Sequence, residues 1–218
     1  MSVVILIPVL GRPQNVVPML ETIEFAGNHP YLFLASMGDE TEIAELERAG
    51  ANYAITPFVI KPGDYARKIN YGFAITTEEF IFTGADDLLF HERWFDNAMR
   101  VTRPKHGVVG TNDLGNARVM AGHHSTHSLV RRSYIDRHGT VDEKRKVLCE
   151  EYPHEFVDDE LVATAKRRGA WVWAGDSIVE HLHPHWGKGP TDALYDQFEV
   201  RMRQGRRIWD RRKREFGL

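Results

Sequence analysis

Val3-Val4-Ile5-Leu6-Ile7-Pro8-Val9 is an unbroken apolar run rich in β-branched residues, and it stops at Gly11-Arg12-Pro13. A strand with one wet face alternates apolar and polar side chains. A run without alternation fits a strand covered on both faces, as in a parallel sheet with helices above and below it. Beyond the turn, Val16 to Phe25 has helical period and Tyr31 to Ala35 reads as a second strand. Strand, helix, strand opens an α/β fold with a mostly parallel central sheet flanked by helices, in which the first strand is central.

The pattern continues outward from this start. Thr41 to Ala49 reads as an amphipathic helix closed by Gly50, Tyr53 to Thr56 as a third strand, and Asp64 to Ile75 as a helix. Phe80-Ile81-Phe82-Thr83 is another buried strand and ends at Gly84-Ala85-Asp86-Asp87. The second half is less regular. His91 to Thr102 is predicted helical, Gly107 to Thr111 and Ser128 to Arg131 are predicted strands, and Ser133 to His138 a short helix. Phe156 to Arg168 is a helix closed by Gly169, and Trp171 to His181 is a strand or pair of strands entering His181-Leu182-His183-Pro184-His185-Trp186. No repeat, low-complexity tract or Pro/Ser-rich linker interrupts the chain. One catalytic domain over residues 1–190 and a basic C-terminal helical extension over residues 191–218 are expected.

The 218 residues, 42% hydrophobic and 27% charged, have the composition of a soluble globular protein and exclude a disordered or fibrous one. No stretch reaches the ~18 apolar residues of a membrane span. The apolar start lacks a basic leader and a small-residue cleavage site, so it reads as a strand and not as a secretion signal. Cys149 is the single cysteine, which excludes an internal disulfide and fits a reducing compartment, and a cytoplasmic location is expected. The net charge of −3 is uneven. Residues 201–218 hold seven Arg and one Lys against Asp210 and Glu215, a net +6 that leaves −9 on residues 1–200. Such a helix either binds a polyanion or anionic surface or is simply a solvated terminal helix.

Three constellations carry chemistry. Asp86-Asp87 stand just beyond a buried strand, where adjacent carboxylates repel one another unless a cation offsets them. Mg²⁺ or Mn²⁺, shared between carboxylates and the phosphates of a substrate, is the economical partner. The strand's carboxyl end is also the rim at which open α/β sheets bind ligands. The competing reading is that one Asp caps a following helix. In His181-x-His183-x-His185, alternate residues of an extended chain share a face, so that imidazoles can converge and bias a carboxylate site towards Mn²⁺; loop histidines without a metal are the alternative. A structural zinc is less favoured, because no Cys cluster accompanies them. Lys188, between Gly187 and Gly189, is a candidate diphosphate contact. In Glu155-Phe156-Val157-Asp158-Asp159-Glu160-Leu161, the acids either suit a helix N-terminus or supply a general base.

Taken in order over residues 3 to 190, these motifs resemble the GT-A glycosyltransferases, particularly the family-2-type inverting enzymes and their small phage-like relatives. The opening strand through Pro8, with Gly11-Arg12-Pro13, looks like the family's donor-contacting start. Gly63, Ala66, Asn70 and Gly72 look like its Gly-x-x-x-Ala and Asn-x-Gly helix. Gly84-Ala85-Asp86-Asp87 stands where the family shows Asp-x-Asp-Asp, with Gly84 in place of the first acid, which leaves Asp86 as the best-matched ligand and Asp87 as a second candidate. Phe156-Val157-Asp158-Asp159-Glu160-Leu161 resembles the Glu-Asp-x-Asp/Glu-Leu helix, and His181 and His183 the histidine that completes the metal site.

The resemblance implies a GT-A-like (Rossmann-like) fold and a metal-dependent inverting glycosyltransferase using a nucleotide-sugar donor, a UDP- or GDP-sugar. Mn²⁺ or Mg²⁺ is the implied cofactor, with Asp86, Asp87, His181 and His183 as candidate ligands and Asp158 as the base. Pro8, Arg12, Ser36, Asp39, Asn70, Asp86 and Lys188 are the candidate donor contacts. The Gly-punctuated segment Asn112 to His127, with three histidines, lies over the acceptor side or forms a lid or structural loop. If the basic tail is functional, a hydroxylated base in DNA is the acceptor it favours. A nucleotidyltransferase is a rival for which Gly11-Arg12-Pro13 is a poor phosphate loop. A non-catalytic nucleic-acid-binding protein would leave the acids and histidines without a role.

Overall fold

A computed structural model describes the chain except residues 60–63, 193–194 and 196–197; Gly63 of the helix motif therefore lies outside the described residues. The first half alternates β1 (Val3–Pro8), α1 (Val16–Phe25), β2 (Tyr31–Met37), α2 (Glu40–Arg48), β3 (Tyr53–Val59), α3 (Tyr65–Ile75) and β4 (Phe80–Thr83). The second half adds β5 (Leu88–Phe90), α4 (Trp94–Val101), β6 (Val108–Asn112), α5 (Ala117–Met120), β7 (Ser128–Arg131), α6 (Arg132–His138), α7 (Val157–Arg167), β8 (Trp171–His181) and α8 (Phe198–Phe216). The eight strands form one sheet in the order β3-β2-β1-β4-β7-β6-β8-β5.

β1 is paired in parallel with β2 on one side and β4 on the other. Its unbroken apolar run is explained by the two layers it separates. Val3, Ile5 and Ile7 enter the cluster with Met19 and Ile23 of α1 and Trp94 of α4. Val4 and Leu6 point the other way, onto Ala66, Ile69 and Phe73 of α3. The period of two is there, but both faces are dry, and truncating Leu6 to Ala is expected to cost about 2–5 kcal/mol. Beyond β4 the sheet turns mixed: β7 runs antiparallel to both β4 and β6, and β8 returns parallel to β6.

Two differences from the sequence expectation matter for the site. Leu88–Phe90 is a strand, antiparallel to β8 with Leu88 opposite His181. The helix expected from His91 begins only at Trp94, because the His91 N–H is spent on the Ile178 carbonyl and Arg93 takes a left-handed conformation with φ 60°. Trp171 to His181 is one strand of 11 residues.

The basic C-terminal helix is docked on the domain through its own charges. Arg212, 1% exposed, donates to Glu160, Asp142 and Glu151, while Arg201 pairs with Glu155 and Arg211 with Glu151. Arg203, Arg206, Arg207, Lys213 and Arg214 face outward. No helix among the described residues is long and apolar enough to cross a membrane.

Candidate active site

β1 and β4 end side by side, and the chain leaves β4 through Gly84. Its N–H donates to the Leu6 carbonyl oxygen at 2.9 Å, and a Cβ built there would stand 2.7 Å from that same oxygen. An acid in the first position of the motif has no room against β1, which accounts for the glycine. Asp86 and Asp87 follow at this rim. Neither precedes a helix, since β5 comes next, so capping does not explain them.

The β5–β8 pairing brings the histidine segment alongside. The Leu182 N–H donates to the Asp87 carbonyl at 2.9 Å, and His181 Nε2 lies 3.4 Å from Asp87 Oδ1. The Tyr195 hydroxyl donates to Asp87 Oδ2 at 2.7 Å. Asp86 faces Arg12 and Asn15, each at 3.3 Å, and Arg12 also lies 3.7 Å from Asp87 and pairs with Asp192 at 2.7 Å. The Arg12 guanidinium stacks over the Tyr195 ring at 4.6 Å. His183 lies edge-on to His181 at 5.0 Å and accepts the His185 N–H on Nδ1, which leaves Nε2 without a hydrogen-bond partner among the described residues.

Burial and the neighbouring Asp87 push Asp86 up to about 6. Burial would raise Asp87 as well, but His181 and the Tyr195 hydroxyl hold it well below the usual carboxylate range. His181 is raised: burial opposes its charge and Asp87 outweighs burial. His183 is lowered to about 4 by burial and by His181. Under the same corner, Glu42 of α2 accepts the Arg12 backbone N–H at 2.7 Å and is pushed up to about 7 by burial and by Asp86 and Asp39.

Asp87 and His181 are the pair at this corner that could hold a divalent ion. Two ligands about 2.0–2.2 Å from one metal at a right angle stand about 3 Å apart, close to the Asp87 to His181 separation. In the protein alone the carboxylate pair is met by the Arg12 guanidinium, His181, Asn15 and the Tyr195 hydroxyl, and oxygen donors with one imidazole suit Mn²⁺ or Mg²⁺.

The same cavity, about 180 Å³, is lined at its other side by Asp158 of α7. Phe156, in a left-handed conformation with φ 70°, starts that helix without a side-chain cap. Asp158 instead meets the buried His124, whose Nε2 lies 3.0 Å from its Oδ2. Burial opposes both charges, but the pair outweighs it: Asp158 is lowered and His124 raised. Asp159, raised by burial and by Asp158, is bound by Arg118 at 2.7 Å. Ligand atoms of His124, Asp158 and Asp159 all lie within 4.8 Å of one another.

Between the two ends stands His127, 5% exposed, at the start of β7. Its Nδ1 lies 2.7 Å from the Thr83 carbonyl, and its ring meets His181 edge-on at 5.0 Å. Burial and His181 lower it to about 4, so it is neutral at neutral pH.

Of the residues singled out from sequence, Pro8, Arg12, Asp86, Asp87, Asp158, His181 and His183 line this cavity. Ser36 and Asp39 lie beside it. Ser36 donates to Asp64, which lines the cavity, and Asp39 caps α2 while accepting the Gly11 N–H at 2.8 Å. Asn70 and Lys188 are not brought to the cavity. The Asn70 amide is consumed by Val147, Leu148 and Glu150, and Lys188 by Glu180 and the Leu114 carbonyl. Sequence reasoning missed Tyr195, Glu42, His124 and His127; the last two lie in the three-histidine segment, which offered no spacing that singled them out.

No protein-family model matches the sequence, and no curated protein does. Solved structures do. The chain is similar to a mannosyltransferase from Pyrobaculum calidifontis, in complex with GDP-Man and Mn²⁺, at a TM-score of 0.65 and 14% identity. That likeness covers 92% of this chain and 60% of the mannosyltransferase, so the chain spans less than two thirds of its length. It is also similar to glucosyl-3-phosphoglycerate synthase from Mycobacterium tuberculosis, in complex with Mn²⁺ and UDP-glucose, at a TM-score of 0.63 and 15% identity over 100% of this chain and 79% of that one. The fold is thus of the GT-A glycosyltransferase type.

Proposed function

We propose that the protein is a metal-dependent glycosyltransferase that moves a sugar from a nucleoside diphosphate-sugar to an acceptor hydroxyl with inversion. The observation that carries this is a single cavity at the ends of β1 and β4, with Asp86, Asp87, His181 and His183 at one side and the Asp158–His124 pair at the other. The neighbours of like fold, solved with GDP-Man or UDP-glucose and Mn²⁺, support it.

Asp87 and His181, with Asp86 and His183 beside them, would hold Mn²⁺ or Mg²⁺. When bound, such an ion acts as a Lewis acid for the departing diphosphate. Arg12 is placed to bind the donor and neutralise the corner, and Pro8, Ser36 and Asp39 shape the edge on which the nucleoside would rest. Asp158 takes the proton of the acceptor hydroxyl as its oxygen bonds to the anomeric carbon and the bond to the diphosphate breaks; one displacement from the opposite face inverts the centre. His124 keeps Asp158 ionised and aimed.

The acceptor class favoured by the outward arginines of α8 is a polyanion such as DNA carrying a hydroxylated base. Replacement of the outward Arg203, Arg207 and Arg214 by Gln that leaves DNA binding and its salt dependence unchanged would remove that acceptor. A thermal-shift screen of UDP- and GDP-sugars with and without Mn²⁺ tests the donor reading, because a ligand of the folded state raises its stability. A shift that needs both components supports it, and no shift with any sugar nucleotide overturns it.

A further inference from the structure

His127 Nδ1 faces a carbonyl oxygen, which has no proton to give, so Nδ1 carries the hydrogen and donates to Thr83. Nε2 is the ring's remaining polar atom. It is buried, has no hydrogen-bond partner among the described residues, and belongs to a ring that lines the cavity. Buried polar atoms are rarely left unpaired.

Its position is rigid. The His127 carbonyl accepts the Thr111 hydroxyl at 2.9 Å, and the Ser128 N–H donates to the Thr83 hydroxyl at 2.9 Å, so both sides of the ring's anchor are tied to the sheet. The ring edge rests on His181 at 5.0 Å and on Phe82 at 6.2 Å. His127 therefore stands between the corner that would hold a diphosphate and Asp158. On the functional reading above, the group that must occupy that interval is the transferred sugar.

We infer that His127 Nε2 hydrogen-bonds one hydroxyl of the transferred sugar and so sets donor specificity. A buried ring nitrogen held in place recognises an O–H and rejects an analogue lacking it, because the nitrogen is then left unpaired.

His127→Asn is the cleanest deletion, since its amide N–H can still reach Thr83 while the Nε2 position is removed. Calorimetric titration with Mn²⁺ and UDP, GDP, UDP-glucose, UDP-galactose and GDP-mannose compares it with the wild type. The sugar nucleotide that the wild type binds should weaken about tenfold in the variant, with the free nucleoside diphosphate unchanged within about twofold. Equal loss for both would overturn the inference by making His127 a contact of the metal or diphosphate, and no loss for either would overturn it outright. The wild type supplies a second measurement that needs no variant: among monodeoxy forms of the bound sugar, one should bind about tenfold more weakly than the rest, and uniform binding overturns the inference. A wild type that binds neither nucleoside diphosphates nor their sugars with Mn²⁺ refutes the glycosyltransferase reading itself, an outcome distinct from binding that ignores His127.

Discussion

Tyr195 donates its hydroxyl to Asp87 at 2.7 Å on one carboxylate oxygen, while His181 faces the other at 3.4 Å. The tyrosine fixes the orientation of a carboxylate that the ladder between β5 and β8 has already placed. Partners of this kind typically carry 10–100-fold of metal affinity. Tyr195→Phe should weaken Mn²⁺ binding roughly tenfold with little change in melting temperature, as read by calorimetric titration. Unchanged affinity would separate Tyr195 from the site.

Asp87 and His181 should behave as one unit. Asp87→Asn and His181→Ala are each expected to abolish the Mn²⁺-dependent part of sugar-nucleotide binding, and the double variant should be no worse, because half a chelate holds little. Losses that add in the double variant would mean that the two residues serve different partners.

Asp158→Asn should lower kcat by about 10²–10⁴ while donor affinity stays within about twofold. His124→Ala should lower kcat less and also destabilise the fold in a defined window. His124 is raised, so its contribution is complete below the ordinary histidine value and is lost as pH climbs through the raised one. Asp158 is lowered, so its contribution is present above the ordinary aspartate value and is lost as pH falls through the lowered one. Asp159, Arg118 and His181, which also face the pair, remain in the variant. Melting curves of wild type and variant should thus diverge most near pH 5–6, and a constant gap from pH 4 to 9 would contradict the ion pair.

How far the sequence reached can be seen at these same residues. Asp86, Asp87 and the histidine segment were legible because acids and imidazoles at strand ends are costly without a task, and the apolar run of β1 identified the sheet that arranges them; Asp158, in the first turn of α7, was singled out by the family motif alone. Tyr195 was not legible, because its partner lies 108 positions away. His124 meets Asp158 across 34 positions and His127 meets Thr83 across 44, pairings made by the second half of the sheet. β5 is three residues long, and its pairing with β8 is long-range, so it leaves no periodic signal. Asn70 shows the converse: its motif pointed at the donor, while the need of a buried amide to satisfy both its ends turned it onto residues 147–150.

Glu42 gives the fold a second pH dependence. Its carboxyl is raised from 4.5 to about 7, so the folded chain holds that proton longer than the unfolded chain does. Stability therefore falls as pH rises between those values, by on the order of 3 kcal/mol if nothing else titrates. Arg12, Asp39, Asp86 and Lys68 are the charged groups around it. Glu42→Gln is neutral at every pH and should flatten this slope, which melting temperatures from pH 4.5 to 8 would reveal at roughly 2–4 °C per kcal/mol. A variant whose melting temperature tracks the wild type across that range would place the proton elsewhere.

Arg212 tests whether the basic helix is part of the fold or an appendage. It is 1% exposed and donates to Glu160 at 2.6 and 2.9 Å, to Asp142 at 2.8 and 2.9 Å and to Glu151 at 2.7 Å, with Tyr152 also donating to Glu160 at 2.8 Å. Removing the guanidinium strands Glu160, itself 3% exposed, as a buried unpaired charge. That loss typically costs about 3–5 kcal/mol, a fall of roughly 10 °C or more in a chain of this length. Most of the cost is the abandoned carboxylate rather than the worth of the pair, so Arg212→Met with Glu160→Gln should recover much of it. Arg201, on the same helix, lines the cavity, so Arg212→Met should also weaken donor binding, and the double variant should restore it together with stability. Donor binding indifferent to both variants would make α8 an ornament to the active site, and a melting temperature unmoved by Arg212→Met would refute its docking through this cluster.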